Sequence, residues 1–203
     1  MVKLPKEKRY IRAVTNLLAE AMMEDPLNIH IFPKSSKRKA QLQSIYLPEV
    51  YYCFEKGLVY ATSEKLEGVA LWLTDRATKK NLSTLIRGGG LRVIFRVPID
   101  VLFKLMHYDK FSRTLRERFA PDIHWYLHNI AVQKGYRGKG FAGKLLKPIF
   151  QMLDKLNLPC YLETQNPQNV ALYEHYGFRI VWMGTIPGLK GVTHWGMLRE
   201  AYA

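Results

Sequence analysis

The stretch that most constrains this chain is HWYLHNIAVQKGYRGKGFAGKLL, His124 to Leu146. An alternating run feeds directly into a basic segment with glycines at 135, 138, 140 and 143, and that segment continues at helical spacing. A strand that ends in a glycine-rich turn and opens a helix is a unit of α/β folds. It is also an anion site, because the first helical N–H groups lack intrahelical acceptors and carry the positive end of the helix dipole. Glycines at 138, 140 and 143 keep side chains out of the way of an approaching phosphate, and Arg137, Lys139 and Lys144 add full charges. The spacing is not G-x-x-x-x-G-K-[ST], nor the full G-x-G-x-x-G, so nucleoside triphosphates and NAD are poor fits.

The remaining elements follow from periodicity. Apolar residues at helical spacing predict a helix over 6–24, stopped at Asp25-Pro26, and a second over 36–54 that contains Pro48. Strands are expected at 58–62 and 68–74, the second covered on both faces because VALWLT is almost continuously apolar. Residues 79–119 read as helical, interrupted by Gly88-Gly89-Gly90 and Val97-Pro98. A strand at 122–132, the glycine loop and a helix at 139–156 follow, with Pro148 expected to kink that helix near Lys144. A strand at 160–164, a helix at 167–176 and a hairpin at 178–185 and 192–199 complete the chain. The order is that of a mixed α/β fold, read as one domain over 1–203 with a basic helical insertion at about 79–119.

Composition narrows the setting. The chain has 203 residues, 48% of them hydrophobic, which is ample for a core, and its net charge is +14. Residues 76–118 hold 11 basic and 3 acidic residues, a stretch suited to an anionic ligand, nucleic acid or a solvated helix face. The longest apolar runs fall short of a bilayer span, and the basic N-terminus lacks an apolar signal region, so a cytoplasmic protein with no membrane partner is expected. Cys53 and Cys160 read as buried free thiols, and no His, Cys or acidic spacing indicates a metal.

Arg137-Gly138-Lys139-Gly140-Phe141-Ala142 fits [QR]-x-x-G-x-[GA] and resembles the acyl-CoA loop of the GNAT superfamily of N-acetyltransferases. NPQNVALYEHYGF, 166–178, is similar to that family's closing motif, in the right order and register. AEAMMEDPL, YLETQN and WGMLRE resemble the puromycin N-acetyltransferase-like branch. The resemblance implies a mostly antiparallel central sheet, splayed at the cofactor strand, with helices on both faces. It also implies acetyl-CoA as co-substrate, a monomer or homodimer, and direct attack by a primary amine of a small molecule. A protein amine as acceptor, or a basic nucleic-acid- or ribosome-associated binding protein on the same fold, are the alternatives.

In that reading the pyrophosphate rests on residues 137 to 143 beside Lys144, while the pantetheine arm pairs with the strand at Ile130, Ala131 and Val132. Asn166 contacts the arm or caps the next helix, and Tyr173 protonates the departing thiolate. Strict alternation places His124, Tyr126 and His128 on one face and Trp125, Leu127 and Asn129 on the other. His128 is the leading general base, with His124 as a relay and Glu163 as an alternative base or ammonium anchor. Ordinary packing or salt-bridge roles stand beside each of these.

Overall fold

The computed structural model describes residues 1–78, 82–189 and 191–202, so 79–81 of the basic insertion lie outside the described residues. A seven-stranded sheet has the order β1-β2-β3-β4-β5-β7-β6, formed by β1 Val2–Lys3, β2 Leu58–Ala61, β3 Gly68–Thr74, β4 Trp125–Val132, β5 Cys160–Thr164, β6 Arg179–Thr185 and β7 Thr193–Arg199. Every neighbouring pair is antiparallel except β4 with β5. This is the mixed α/β, mostly antiparallel sheet that the sequence predicts.

Helices cover both faces. On one, α1 Lys8–Ala21 and α3 Ser35–Lys56 pack on Val59, Val69, Leu71 and Leu73. On the other, α8 Phe141–Lys155 buries Leu145, Leu146, Ile149, Phe150 and Leu153 against Trp72 and Leu162, each such side chain stabilising the fold by roughly 1.5–3 kcal/mol. Arg199 of β7, buried over Phe150, holds Asp154 of α8 by paired contacts of 2.7 and 2.8 Å. That fork fixes the α8 C-terminal half to the closing hairpin. The short α9 Pro167–His175 follows β5.

One helical feature differs from the periodicity. α1 ends at Ala21, before Asp25, and Asp25 instead caps a further helix, α2 Pro26–Ile31, by accepting from the N–H groups of Leu27 and Asn28 at 3.0 and 3.4 Å. Proline at the first helical position needs no N–H partner, so Asp-Pro starts a helix here rather than stopping one. Both α3 and α8 run through their prolines, Pro48 and Pro148, as unbroken helices. Between β3 and β4 lie α4 Asp75–Thr78, α5 Leu82–Arg87, α6 Leu91–Arg96 and α7 Ile99–Phe119. The inner side of α7 meets β6 and β7.

Candidate active site

The register of β4 organises the site. Asn129 opposes Leu71 and Leu127 opposes Trp72, so His128 is an extra residue, a bulge. The alternation changes there. Tyr126 and Ala131, an odd number apart, both pack under α1 and α3, while Leu127 and Ile130 both face α8. Asn129 therefore lies on the Leu71 side with Tyr126 and His128, correcting the strict alternation expected from sequence.

The same strand parts from its other neighbour. β5 pairs with β4 only at Trp125 and Tyr126, although β4 continues to Val132. The Gln133 N–H donates to the Glu67 carbonyl at 2.8 Å, which sets the phase of the antiparallel ladder with β3. Ala131 and Asn129 then turn their polar groups to β3, and those of Ile130 and Val132 point into the splay. Ala131 is thereby corrected as a ligand contact: its backbone faces Val69 and its methyl is buried. The Val132 carbonyl accepts from Arg137 Nε at 3.2 Å, and Arg137 also reaches the Ala21 carbonyl.

Below the splay, a single 3-10 turn at Lys134–Tyr136 leads to Gly138 and Gly140, both at positive φ (74° and 76°). Added Cβ atoms would meet nothing within 4 Å at either position, so these glycines are required for the turn and leave open space above it. Gly140 starts α8 without a side-chain cap, which leaves the N–H groups of Phe141, Ala142 and Gly143 without intrahelical acceptors. Lys139 is held to the Gly135 carbonyl at 2.9 Å, and Lys144 lies over the Phe141 ring. Gly143 has a different reason: a Cβ there would come within 2.7 Å of the Tyr176 hydroxyl, so it serves helix packing as well as lending its N–H.

Side chains converge on the opposite face of the splay. His128 Nε2 lies 3.1 Å from Glu49 Oε2 of α3, and its ring tilts against Tyr126. Glu163 of β5 accepts hydrogen bonds from Ser112 of α7, from Tyr126 at 3.4 Å and from Tyr161 at 3.3 Å. Burial pushes the Glu163 carboxyl above its usual range, opposed by the Arg116 guanidinium and the three hydroxyls. Arg116, itself buried, stacks over Tyr126 at 4.6 Å. A carboxyl so placed can take a proton or hold a cation.

The other predicted residues separate from this cluster. His124 is occupied elsewhere, its Nδ1 2.6 Å from the Pro121 carbonyl, and burial lowers its pKa. Asn166 caps α9, accepting from the Gln168 N–H at 3.0 Å, the second of its two expected roles. Tyr173 packs on Phe178 in the α8-side core, and burial raises its phenol so that it stays protonated at neutral pH.

Glu49, Ser112, Arg116 and Tyr161 escaped the sequence reading. The usable signal was polar interruption of an apolar stripe. Glu49 lies at helical spacing with Leu42, Ile45 and Tyr46, and Ser112 and Arg116 share a stripe with Val101, Leu105 and Tyr108.

Comparison with known proteins agrees with this geometry. Residues 106–178 match the acetyltransferase (GNAT) family. An uncharacterized N-acetyltransferase of Schizosaccharomyces pombe is 27% identical over 184 residues, covering 87% of this chain and 73% of its own. Among solved structures, a histone acetyltransferase HPA2 and related acetyltransferase from Corynebacterium glutamicum matches with TM-score 0.64 at 21% identity, covering 100% of this chain and 97% of the other. Arylalkylamine N-acetyltransferase 2 from Aedes aegypti matches with TM-score 0.57 at 14% identity, covering 99% of each. These two likenesses establish the fold. The family match over residues 106–178 and the relative's likeness over 184 residues make the chain similar to GNAT N-acetyltransferases.

Proposed function

We propose that this enzyme moves an acetyl group from acetyl-CoA to the primary amine of a small molecule, by direct attack within a ternary complex. The observation that carries the reading is one continuous feature. The splayed length of β4, with the polar groups of Ile130 and Val132 turned outward, runs into an uncapped α8 N-terminus. An amide-bearing arm suits the first part and a pyrophosphate the second, so the residues present fit the group.

Acetyl-CoA supplies an activated acetyl thioester. The N–H groups of Phe141, Ala142 and Gly143, with Arg137, Lys139 and Lys144 nearby, bind its phosphates. Ile130 and Val132 orient the arm, Arg137 releasing the Val132 carbonyl as it turns to the phosphates. The Ile130 N–H offers a hydrogen bond where negative charge develops on the acyl oxygen.

An alkylammonium titrates near ~10, so the acceptor must lose a proton. His128 takes it. Its Nε2 lies 3.1 Å from the Glu49 carboxylate, which stabilises the imidazolium that forms, and the bulge sets the ring beside the splay. Glu163 attracts the ammonium group and receives protons relayed through Tyr126. Tyr173, kept protonated by burial, donates to the departing thiolate. The likeness of AEAMMEDPL, YLETQN and WGMLRE to the puromycin N-acetyltransferase-like branch supports a small-molecule acceptor.

The test is thiol release from acetyl-CoA across a panel of small primary amines, with both substrates varied. Initial-rate lines that intersect are expected. Parallel lines would indicate a covalent enzyme intermediate and overturn direct attack; activity on peptides alone would overturn the small-molecule acceptor.

A further inference from the structure

The outer faces of α6 and α7 carry large apolar side chains that the fold leaves uncovered. Leu91, Ile94 and Phe95 line one side of α6, and Ile99, Phe103 and Met106 form a stripe along the first half of α7. Phe95 is 87% exposed and Phe103 64%. The opposite sides of the same helices are anchored: Val93, Val97 and Val101 pack into the cluster that holds Leu27, Ile31 and Phe32. Only Val97 and Pro98 separate the two helices, so the exposed faces adjoin. An uncovered apolar surface of this kind, unlike singly scattered exposed residues, marks an interaction site.

Its border is basic. Arg87, Arg92, Arg96 and Lys104 accompany the apolar residues, while Asp100 is the single acidic residue between 82 and 106 and lies 3.9 Å from Lys104. A helix surface with bulky apolar side chains flanked by arginine and lysine suits the boundary of an anionic bilayer, where the apolar groups enter the acyl region and the cations meet phosphates. Nucleic acid would leave Leu91, Ile94, Ile99 and Met106 without a favourable partner, since stacking needs aromatic or guanidinium planes. No helix among the described residues is long and apolar enough to cross a membrane, so this surface would lie on one.

We infer that the α6–α7 surface docks the enzyme onto anionic lipid bilayers. This reverses the expectation, drawn from the lack of a spanning segment, that the protein has no membrane partner. The inference is independent of the acetyl-transfer chemistry, because the docking residues are exposed and none is among the hydrogen-bond partners of Glu163 given above.

The experiment is flotation of the full chain with vesicles of phosphatidylserine and phosphatidylcholine, and with phosphatidylcholine alone, at physiological salt. Binding to the mixed vesicles and weak binding to the neutral ones are expected. Arg92→Ala and Arg96→Ala should each weaken binding about fivefold, the equivalent of about 1 kcal/mol per surface cation. The double variant Phe95→Ser/Phe103→Ser should lose vesicle binding while keeping its circular dichroism spectrum and melting temperature, since both side chains are exposed. Failure to bind the mixed vesicles, or unchanged binding by the double variant, would overturn the inference. So would RNA binding without lipid binding, or a dimer in sedimentation that the double variant dissociates.

Discussion

The two halves of the candidate site are made of different material. Around the α8 N-terminus the functional groups are backbone: the outward polar groups of Ile130 and Val132 and the first N–H groups of α8, exposed by glycines at positive φ. Across the splay they are side chains brought from α3, α7, β4 and β5, namely Glu49, Ser112, Arg116, Tyr126, His128 and Glu163. A backbone site tolerates most side-chain changes but is sensitive to steric or charge intrusion. A side-chain cluster is sensitive at every member, because removing one partner leaves a buried polar group unsatisfied. The difference predicts that the halves can be damaged separately.

The largest effect should come from His128→Ala. Turnover is expected to fall about 10²- to 10⁴-fold, the contribution of a positioned general base, with acetyl-CoA affinity unchanged. Steady-state kinetics beside a binding titration would check this, and an equal loss of cofactor affinity would show that the halves are not separable.

A smaller effect concerns stability on the side-chain half. His194 is fully buried among Tyr108, Phe111 and Trp182, with Nδ1 accepting from the Gln165 amide at 2.7 Å. Burial lowers its pKa from 6.5 to about 4. The unfolded chain therefore binds a proton more readily than the folded one between those values. Stability is intact above about pH 6.5 and falls as the pH drops toward 4, by on the order of 3 kcal/mol. Denaturant unfolding across this range should show that slope, and His194→Gln should flatten it.

The finest test is Arg116→Met. Without the guanidinium, burial of Glu163 is no longer opposed by a positive charge, so the carboxyl should titrate still higher. If Glu163 assists the acceptor, the acidic limb of the kcat/KM profile shifts to higher pH. An unmoved limb would leave Glu163 a structural residue.

The same contrast explains what could be read in advance. The glycine loop was legible because its requirements are local: glycine where φ is positive, basic residues beside it, and apolar spacing in the helix that follows. The β5 segment and the closing β6–β7 hairpin followed from similar local patterns, whereas the strand order did not. The bulge at His128 did not, because nothing in HNIAV itself says that β3 will skip one residue; the register with Leu71 and Trp72 decides it. Glu49 pairs with a residue 79 positions away and Ser112 with one 51 away, so only the assembled fold brings them to the site. Asp25-Pro26 shows the converse limit, since a dipeptide read as a helix stop starts α2, four residues after α1 has ended at Ala21.

The most direct test of the central claim is calorimetric titration of acetyl-CoA into the purified protein, with NADH as a control and Gly140→Asp as the probe. A carboxylate at position 140 would accept the free α8 N–H groups itself and repel phosphate. Stoichiometric binding of acetyl-CoA but not NADH, weakened about 100-fold by Gly140→Asp, is the predicted result. No binding of acetyl-CoA at low salt, or equal affinity in the variant, would contradict the assignment of the β4 splay and the α8 N-terminus as the cofactor site.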